Sequence, residues 1–217
     1  MKRRNMKNSK WFLALVAAAT MGFSSASFAD DMDGHDEVDG GGLFVEPAIT
    51  YQWGDTNVSY PAPFSDSTES IKGYGLGLRL GGHVYDTVFL ALDGRYARPR
   101  YDSSALGGEA DASAYNAGLT LGAQTPLLGI RVWGTYIFTG ELDPDEINGA
   151  DVKFEDFRGY RVGAGIRFAF VSVNLEYQDG KYDKATLQNG GIFGGTSDDV
   201  DGRDKSYILS LSFPLSL

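Results

Sequence analysis

Apolar and polar residues alternate along most of the chain from Leu43 onward. In the first such stretch, "LFVEPAITYQW", large apolar side chains share one face and polar side chains such as Thr50 and Gln52 share the other. Successive side chains of a β-strand point to opposite faces, so this period of two predicts a strand. The alternation returns in seven later stretches of about ten residues. The sequence therefore predicts an all-β fold with eight strands.

The connections between the predicted strands alternate in length. Those after the second, fourth and sixth strands are short, around "GHVYD", "TPL" and "AF". Short turns at one end and long loops at the other are typical of a transmembrane β-barrel. We therefore predict an eight-stranded antiparallel up-and-down transmembrane β-barrel over residues 43–217, with its N-terminus periplasmic and four long acidic loops outside. The predicted long loops are residues 55–70, 98–114, 141–156 and 179–204.

Two features indicate that the apolar face of the strands is turned outward to lipid. They argue against a soluble lipocalin-type barrel, in which the apolar face would line the interior. The polar face consists of glycine, serine, threonine and a few charged residues, whereas a soluble exterior would be dense in lysine and glutamate. The apolar face of every predicted strand also carries an aromatic residue near its long-loop end, as in the interfacial girdle of membrane barrels. These aromatic residues are Trp53, Tyr74, Tyr96, Tyr115, Phe138, Tyr160, Tyr177 and Tyr207.

Glycine alternates with larger residues in "KGYGLGLRLGG", residues 72–82. A strand glycine provides no side chain to pack and loses much entropy on folding, so its repetition needs a reason. The lumen of an eight-stranded barrel is just wide enough for its own side chains. We interpret the glycines as space for large inward residues such as Trp133. A dinucleotide site is excluded, since no G-x-G-x-x-G pattern followed by a helix is present.

Eight charged residues fall on the predicted lumen face. They are open to three interpretations: a selective pore, a buried catalytic set, or a structural ion-pair network that fills the interior. The last is favoured because narrow barrels are normally filled and arginine binds carboxylates with two hydrogen bonds. Within the set we expect Glu176 to pair with Arg161. Its members are Glu46, Arg79, Asp93, Arg95, Arg131, Arg161, Arg167 and Glu176.

The first 29 residues have the layout of a secretory signal peptide: a basic stretch, a short apolar stretch and small residues before a cut after Ala29. Cleavage removes five of the 19 basic residues and leaves all 29 acidic ones, a formal charge of −15. That charge argues against nucleic acid as a partner. The chain has no cysteine, which excludes disulfides and thiolate metal sites. Residues 30–42 carry six carboxylates and are predicted to form a flexible acidic segment.

Residues 43–217 resemble the small eight-stranded outer-membrane barrels of the OmpA, OmpX and opacity-protein kind. The resemblance rests on the period-two alternation, the aromatic girdle and the alternation of short turns with long loops. The resemblance implies export to the bacterial outer membrane, insertion by the barrel-assembly machinery, and contact with outer-membrane lipid and lipopolysaccharide. The family's last strand usually ends in an aromatic residue, whereas this chain ends in Leu217. Pro47 and Pro214 cannot donate strand hydrogen bonds, and we expect a bulge or fraying where the first and last strands meet.

No catalytic, cofactor or metal site is predicted. The two histidines, His35 in the acidic segment and His83 in a short turn, are badly placed for a hydrolase acting on the outer leaflet. The sequence favours a non-enzymatic surface protein, envelope-stabilising or adhesin-like, over a small porin-like channel and, third, a lipid-modifying enzyme. In the longest loop Ile192 and Phe193 stand between glycine pairs and form a candidate contact with a surface partner.

Overall fold

The structure is a computed structural model that describes residues 42–59, 66–84, 87–104, 106–125, 129–149, 151–189, 195–197 and 201–217. None of these residues belongs to a helix that is long and apolar enough to cross a membrane. The strands are β1 (Leu43–Ser59), β2 (Ser67–Val84), β3 (Val88–Ser103), β4 (Gly108–Gln124), β5 (Ile130–Pro144), β6 (Asp151–Phe168), β7 (Val171–Asn189), β8 (Gly195–Ser197), β9 (Asp201–Ser212) and β10 (Leu215–Ser216).

The strands close into a barrel. Each strand from β1 to β7 pairs antiparallel with the next, and β9 pairs with both β7 and β1. The short β10 continues the line of β9 along the start of β1, and β8 pairs only with the outer part of β7. The predicted eight-stranded up-and-down antiparallel barrel is confirmed, with β9 and β10 together as its eighth strand.

The seam between the first and last barrel strands is interrupted but keeps its register. Ala48 pairs with Ser212 and Val45 with Leu215, which is the same alignment on both sides of Pro214. The amide of Phe213 donates to the carbonyl of Pro47 at 2.9 Å. Of the expected bulge or fraying, the bulge is wrong within these described residues, whereas the strand is interrupted at residues 213 and 214. Pro214 removes a donor from the ladder without displacing the chain.

The strands extend far beyond the predicted boundaries at the long-loop end. β1 continues to Ser59 and β7 to Asn189, so the ladder includes much of what the sequence indicated as loop. Between the strands at this end the structure also describes residues 66, 104, 106–107 and 145–149. The predicted loop boundaries are thus wrong, and the barrel wall continues past the aromatic girdle.

The barrel has two levels that differ in which face is apolar. From the short turns up to the aromatic girdle, outward side chains such as Leu92 and Leu121 are apolar and more than half exposed, and we call this zone the apolar belt. Beyond the girdle the outward positions become polar, as at Asp55 and Lys72. We call this second zone, the strand ends on the long-loop side of the girdle, the outer level. It has the pattern of a soluble barrel.

The interior of the outer level is an apolar cluster. Phe154, Phe157 and Leu142 are almost fully buried at its centre. Such a cluster stabilises strand ends whose outward residues are polar, which accounts for the extended ladder. We call it the outer cluster; it comprises Val58, Ile71, Tyr101, Ala112, Ile137, Leu142, Ile147, Phe154, Phe157, Tyr182 and Ala185.

A β-bulge in β5 brings Leu142 of this cluster inward, whereas Ile137 precedes the bulge and keeps the lumen phase of Arg131 and Trp133. Ala117 pairs with Thr139 and Gly118 with Ile137, so β5 carries one additional residue, Phe138, at this point. The alternation therefore reverses: Ile137 and Leu142 both point inward, and Thr139 points outward. Uninterrupted alternation along β5 from Arg131 predicts Thr139 on the lumen face, and the bulge is the reason that this prediction is wrong.

Candidate functional site

A row of alternating charges crosses three adjacent strands inside the apolar belt. Glu46 on β1 lies directly opposite Arg79 on β2, which lies directly opposite Asp93 on β3. Arg79 donates to Asp93 Oδ2 through Nε at 3.3 Å and Nη2 at 3.0 Å. Its Nη1 lies 3.6 Å from Glu46 Oε2. All three side chains are buried, so each charge is compensated within the protein.

Other arginines reach this row from the opposite wall of the barrel. Arg131 on β5 binds Glu46 with two hydrogen bonds, of 2.8 and 2.9 Å. Arg161 on β6 donates to Asp93 at 2.8 Å. From the near wall, Arg95 on β3 reaches across to Glu176 on β7, with Nη2 2.8 Å from Oε1. These contacts fill the cross-section of the lumen.

The expected pair of Glu176 with Arg161 is not the arrangement that forms. In the ladder between β6 and β7, Arg161 lies opposite Gln178, and Glu176 lies opposite Gly163. Arg161 accordingly donates to Gln178 Oε1, at 2.9 and 3.2 Å. Glu176 instead binds Arg95, so strand neighbourhood alone did not identify the partner.

Arg167 lies apart from the other seven predicted network residues. It stands at the short-turn end of β6, where its Nε donates to the carbonyl oxygen of Ala169 at 3.0 Å. It forms no ion pair with any residue that the structure describes. Its position in the alternation was inward, but it is too close to the rim to reach the network.

The indole of Trp133 contacts the charged side chains of the lumen. Its Nε1 donates to Glu176 Oε1 at 2.7 Å. The guanidinium groups of Arg79 and Arg131 lie 5.0 and 5.6 Å from the centre of the indole ring, within the range of cation–π attraction. A small cavity beside Arg79 and Trp133 is lined mainly by polar residues, including Asn174 and Ser212.

A buried carboxylate that sequence reasoning missed lies just beyond the girdle. Asp204 accepts hydrogen bonds from Gln178 at 2.9 Å and from Ser206 at 2.8 and 2.9 Å. Its strand neighbours Arg203 and Lys205 point outward and are exposed, so Asp204 belongs to the outer level. Burial raises the pKa of Asp204 to about 6, against the opposing effect of its hydrogen bonds. The sequence contains a signal for this buried carboxylate, because alternation continued from Ser206 places Asp204 on the lumen face.

The described residues show no group of three potential metal-ligating side chains. His83 lies at the short-turn end, where its ring contacts those of Phe44 and Phe89 at centroid distances of 4.8 and 6.0 Å. The candidate contact residues Ile192 and Phe193, the signal peptide and residues 30–41 lie outside the described residues.

No protein-family model matches the chain, and no curated protein matches it in sequence. Several solved structures have a similar fold. Neisserial surface protein A is 13% identical, with 79% of this chain and 98% of that chain covered and a TM-score of 0.44. OprG from Pseudomonas aeruginosa is 11% identical, with coverages of 82% and 98% and a TM-score of 0.48. Ail of Yersinia pestis, solved with the heparin analogue sucrose octasulfate, is 12% identical, with coverages of 79% and 99% and a TM-score of 0.42. All three are eight-stranded outer-membrane barrels, the class that the sequence resembles.

Proposed function

We propose that the protein is a non-enzymatic barrel of the bacterial outer membrane that acts at the cell surface, stabilising the envelope or contacting a partner through its outer level. The membrane location is supported by the apolar belt. Outward leucines there remain about half exposed in the isolated chain, as at Leu175 and Leu209. An exposed apolar surface of this extent favours lipid as its surroundings.

The observation that carries the proposal is the closed interior. In the belt, Arg161 and Glu176 are almost completely inaccessible to solvent. In the outer level, the outer cluster draws residues from β1 to β7, and each of them is at most 6% exposed. Side chains lining a water-filled channel would be accessible, so both levels favour a filled barrel over a pore.

A small channel is the second candidate. Four arginines of the network face three carboxylates, and the polar cavity beside Arg79 and Trp133 shows that the filling is incomplete there. A rearrangement of the network would open a path with excess positive charge, suited to anions. The outer cluster would still block that path at the outer level.

Planar-bilayer recordings of the purified protein distinguish the two candidates. We expect no steady conductance, and only rare, small openings. A variant with Phe154→Ala and Phe157→Ala removes much of the outer cluster and serves as a comparison. If the unmodified protein forms stable, ion-selective channels, the channel is correct and the surface-protein proposal is wrong.

A further inference from the structure

Three outward cations follow the girdle on the β2–β3 face. Lys72 lies two residues beyond Tyr74, and Arg98 lies two residues beyond Tyr96, so both occupy the first outward positions of the outer level. Arg100 follows on β3 and lies directly opposite Lys72, while Arg98 lies directly opposite Tyr74. We call Lys72, Arg98 and Arg100 the cation cluster. It occurs in a chain with a formal charge of −10.

The protein compensates these charges only in part. Asp111 on β4 lies directly opposite Arg100, without an ion pair within 4 Å. No such residue serves Lys72 or Arg98 among those the structure describes. Arg100 Nη1 lies 3.6 Å from Glu109 Oε1, and both side chains are more than half exposed, so this pair is weak. Lys72 and Arg98 form no ion pair within the described part of the chain. Like charges directly opposite each other on paired strands, as Lys72 and Arg100 are, destabilise a sheet unless an anion lies between them.

A second row of cations, on the opposite side of the barrel, is paired with carboxylates of the protein. Arg158, Lys181 and Arg203 lie opposite one another on β6, β7 and β9. Arg203 donates two hydrogen bonds to Asp179, of 2.8 and 2.9 Å, and these hold the pKa of Asp179 below its ordinary value. Lys181 lies 3.0 Å from Asp183, which is also 3.9 Å from Arg158. This row carries its own counter-ions.

We propose that the cation cluster binds the phosphate groups of lipids in the outer leaflet, an inference that rests on the membrane location proposed above. The cluster lies at the height where phosphates are found, one position beyond the aromatic girdle. Guanidinium groups bind phosphate oxygens with two hydrogen bonds, and an ammonium supplies a compact charge beside them. Tyr74, which is 72% exposed, presents an apolar ring to the acyl chains below.

The test compares two triple variants of the purified full-length barrel in detergent. One carries Lys72→Gln, Arg98→Gln and Arg100→Gln; the matched control carries Lys181→Gln, Arg158→Gln and Arg203→Gln. Both lose one lysine and two arginines. Binding of diphosphorylated lipid A, and of the same lipid without phosphates, is measured by native mass spectrometry. We expect the first variant to bind the phosphorylated lipid about 100-fold more weakly, at about fivefold per cation, and the control to change by less than about fivefold.

Inorganic phosphate at millimolar concentration is expected not to displace the lipid. Equal binding by both variants, equal binding of the unphosphorylated lipid, or displacement by free phosphate would each overturn the inference. Both variants are first shown to be folded by their heat-modifiable migration on gels. A failure of the membrane location would appear separately, as a protein that does not insert into vesicles, whatever its lipid affinity in detergent.

Discussion

The indole ring of Trp133 on β5 fills the space that Gly163 on β6 leaves open. The two residues are directly opposite in the ladder. A Cβ at position 163 would lie 2.5 Å from two atoms of the ring and 2.7 Å from Glu176 Cγ. The ring and the Glu176 carboxylate are themselves hydrogen-bonded, so neither can move freely. Glycine at 163 is therefore a packing requirement of the lumen.

Replacing this glycine should destabilise the barrel, because Gly163→Ala forces the indole away from Glu176. We expect the free energy of unfolding to fall by about 1–3 kcal/mol. Gly77→Ala is the matched control, since its Cβ would make ordinary contacts, 3.5 Å from Ala48 and 3.9 Å from Arg95. It should be neutral or stabilising by up to about 1 kcal/mol. Urea unfolding in vesicles measures both; equal losses would show that Gly163 has no special packing role.

The ion-pair network should couple Glu176 to Arg95 more strongly than to Arg161. Glu176→Gln removes one of the two carboxylates that the buried Arg95 binds and leaves it only Asp93, at 3.2 Å; we expect a loss of about 3–5 kcal/mol in a dry interior, less in a hydrated one. Double-mutant cycles with Arg95→Gln and with Arg161→Gln give the two coupling energies. A coupling to Arg161 as large as that to Arg95 would contradict the observed partners.

Asp204 should make the free energy of unfolding depend on pH, in the direction opposite to the dependence that an ion-paired carboxylate causes. Its folded pKa, about 6, exceeds the ordinary value of 3.8, so the folded state binds more protons between these values. Stability should therefore fall as pH rises from about 4 to 6 and stay low above 6, a total of about 3 kcal/mol.

Asp204→Asn should remove this dependence and stabilise the protein at pH 8. Asp179→Asn is the control with the opposite sign, because Arg203 lowers the pKa of Asp179 and its ionised form stabilises the folded state. Unfolding curves between pH 4 and 8 measure both variants. A pH profile that Asp204→Asn leaves unchanged would show that this carboxyl does not titrate in that range.

The outer cluster should contribute stability as a soluble core does. Leu142 is fully buried, so Leu142→Ala leaves a cavity. We expect the free energy of unfolding to fall by about 2–5 kcal/mol. Leu209 points outward from the belt and is 45% exposed, so Leu209→Ala leaves no internal cavity and should cost less. Hydrogen exchange of the β5–β6 amides locates the effect. Equal losses from the two variants would mean that the outer level is not packed as described.

Strand number, pairing direction and the outward face of the belt were predictable because period-two alternation reports them directly. The two-level arrangement was not predicted, although its signal was present. Val58, Ile71 and Tyr101 continue the lumen phase of their strands as apolar residues, while the outward residues become polar. An apolar outward face marks only the part of a strand below the girdle, so the change to polar outward residues predicts strand ends at the girdle although the lumen phase continues.

The partners within the lumen were not predictable for a different reason. Arg95 reaches Glu176 and Arg131 reaches Glu46 across the barrel, between strands that are not neighbours. Such contacts depend on strand tilt and on the space left by glycines, which a single sequence does not encode locally. The bulge at Phe138 likewise reversed the phase of β5 without any proline or glycine at that position.

Spin labels along β9 distinguish a belt surrounded by lipid up to the girdle, with water around the outer level, from a barrel that is surrounded by water throughout. The chain has no cysteine, so single cysteines can be placed at outward positions 211, 209, 205 and 203 without a background. In reconstituted vesicles, labels at 209 and 211 should be accessible to oxygen and protected from a water-soluble nickel reagent. Labels at 203 and 205 should show the reverse. Nickel accessibility at all four positions would show that water, and not lipid, surrounds the belt.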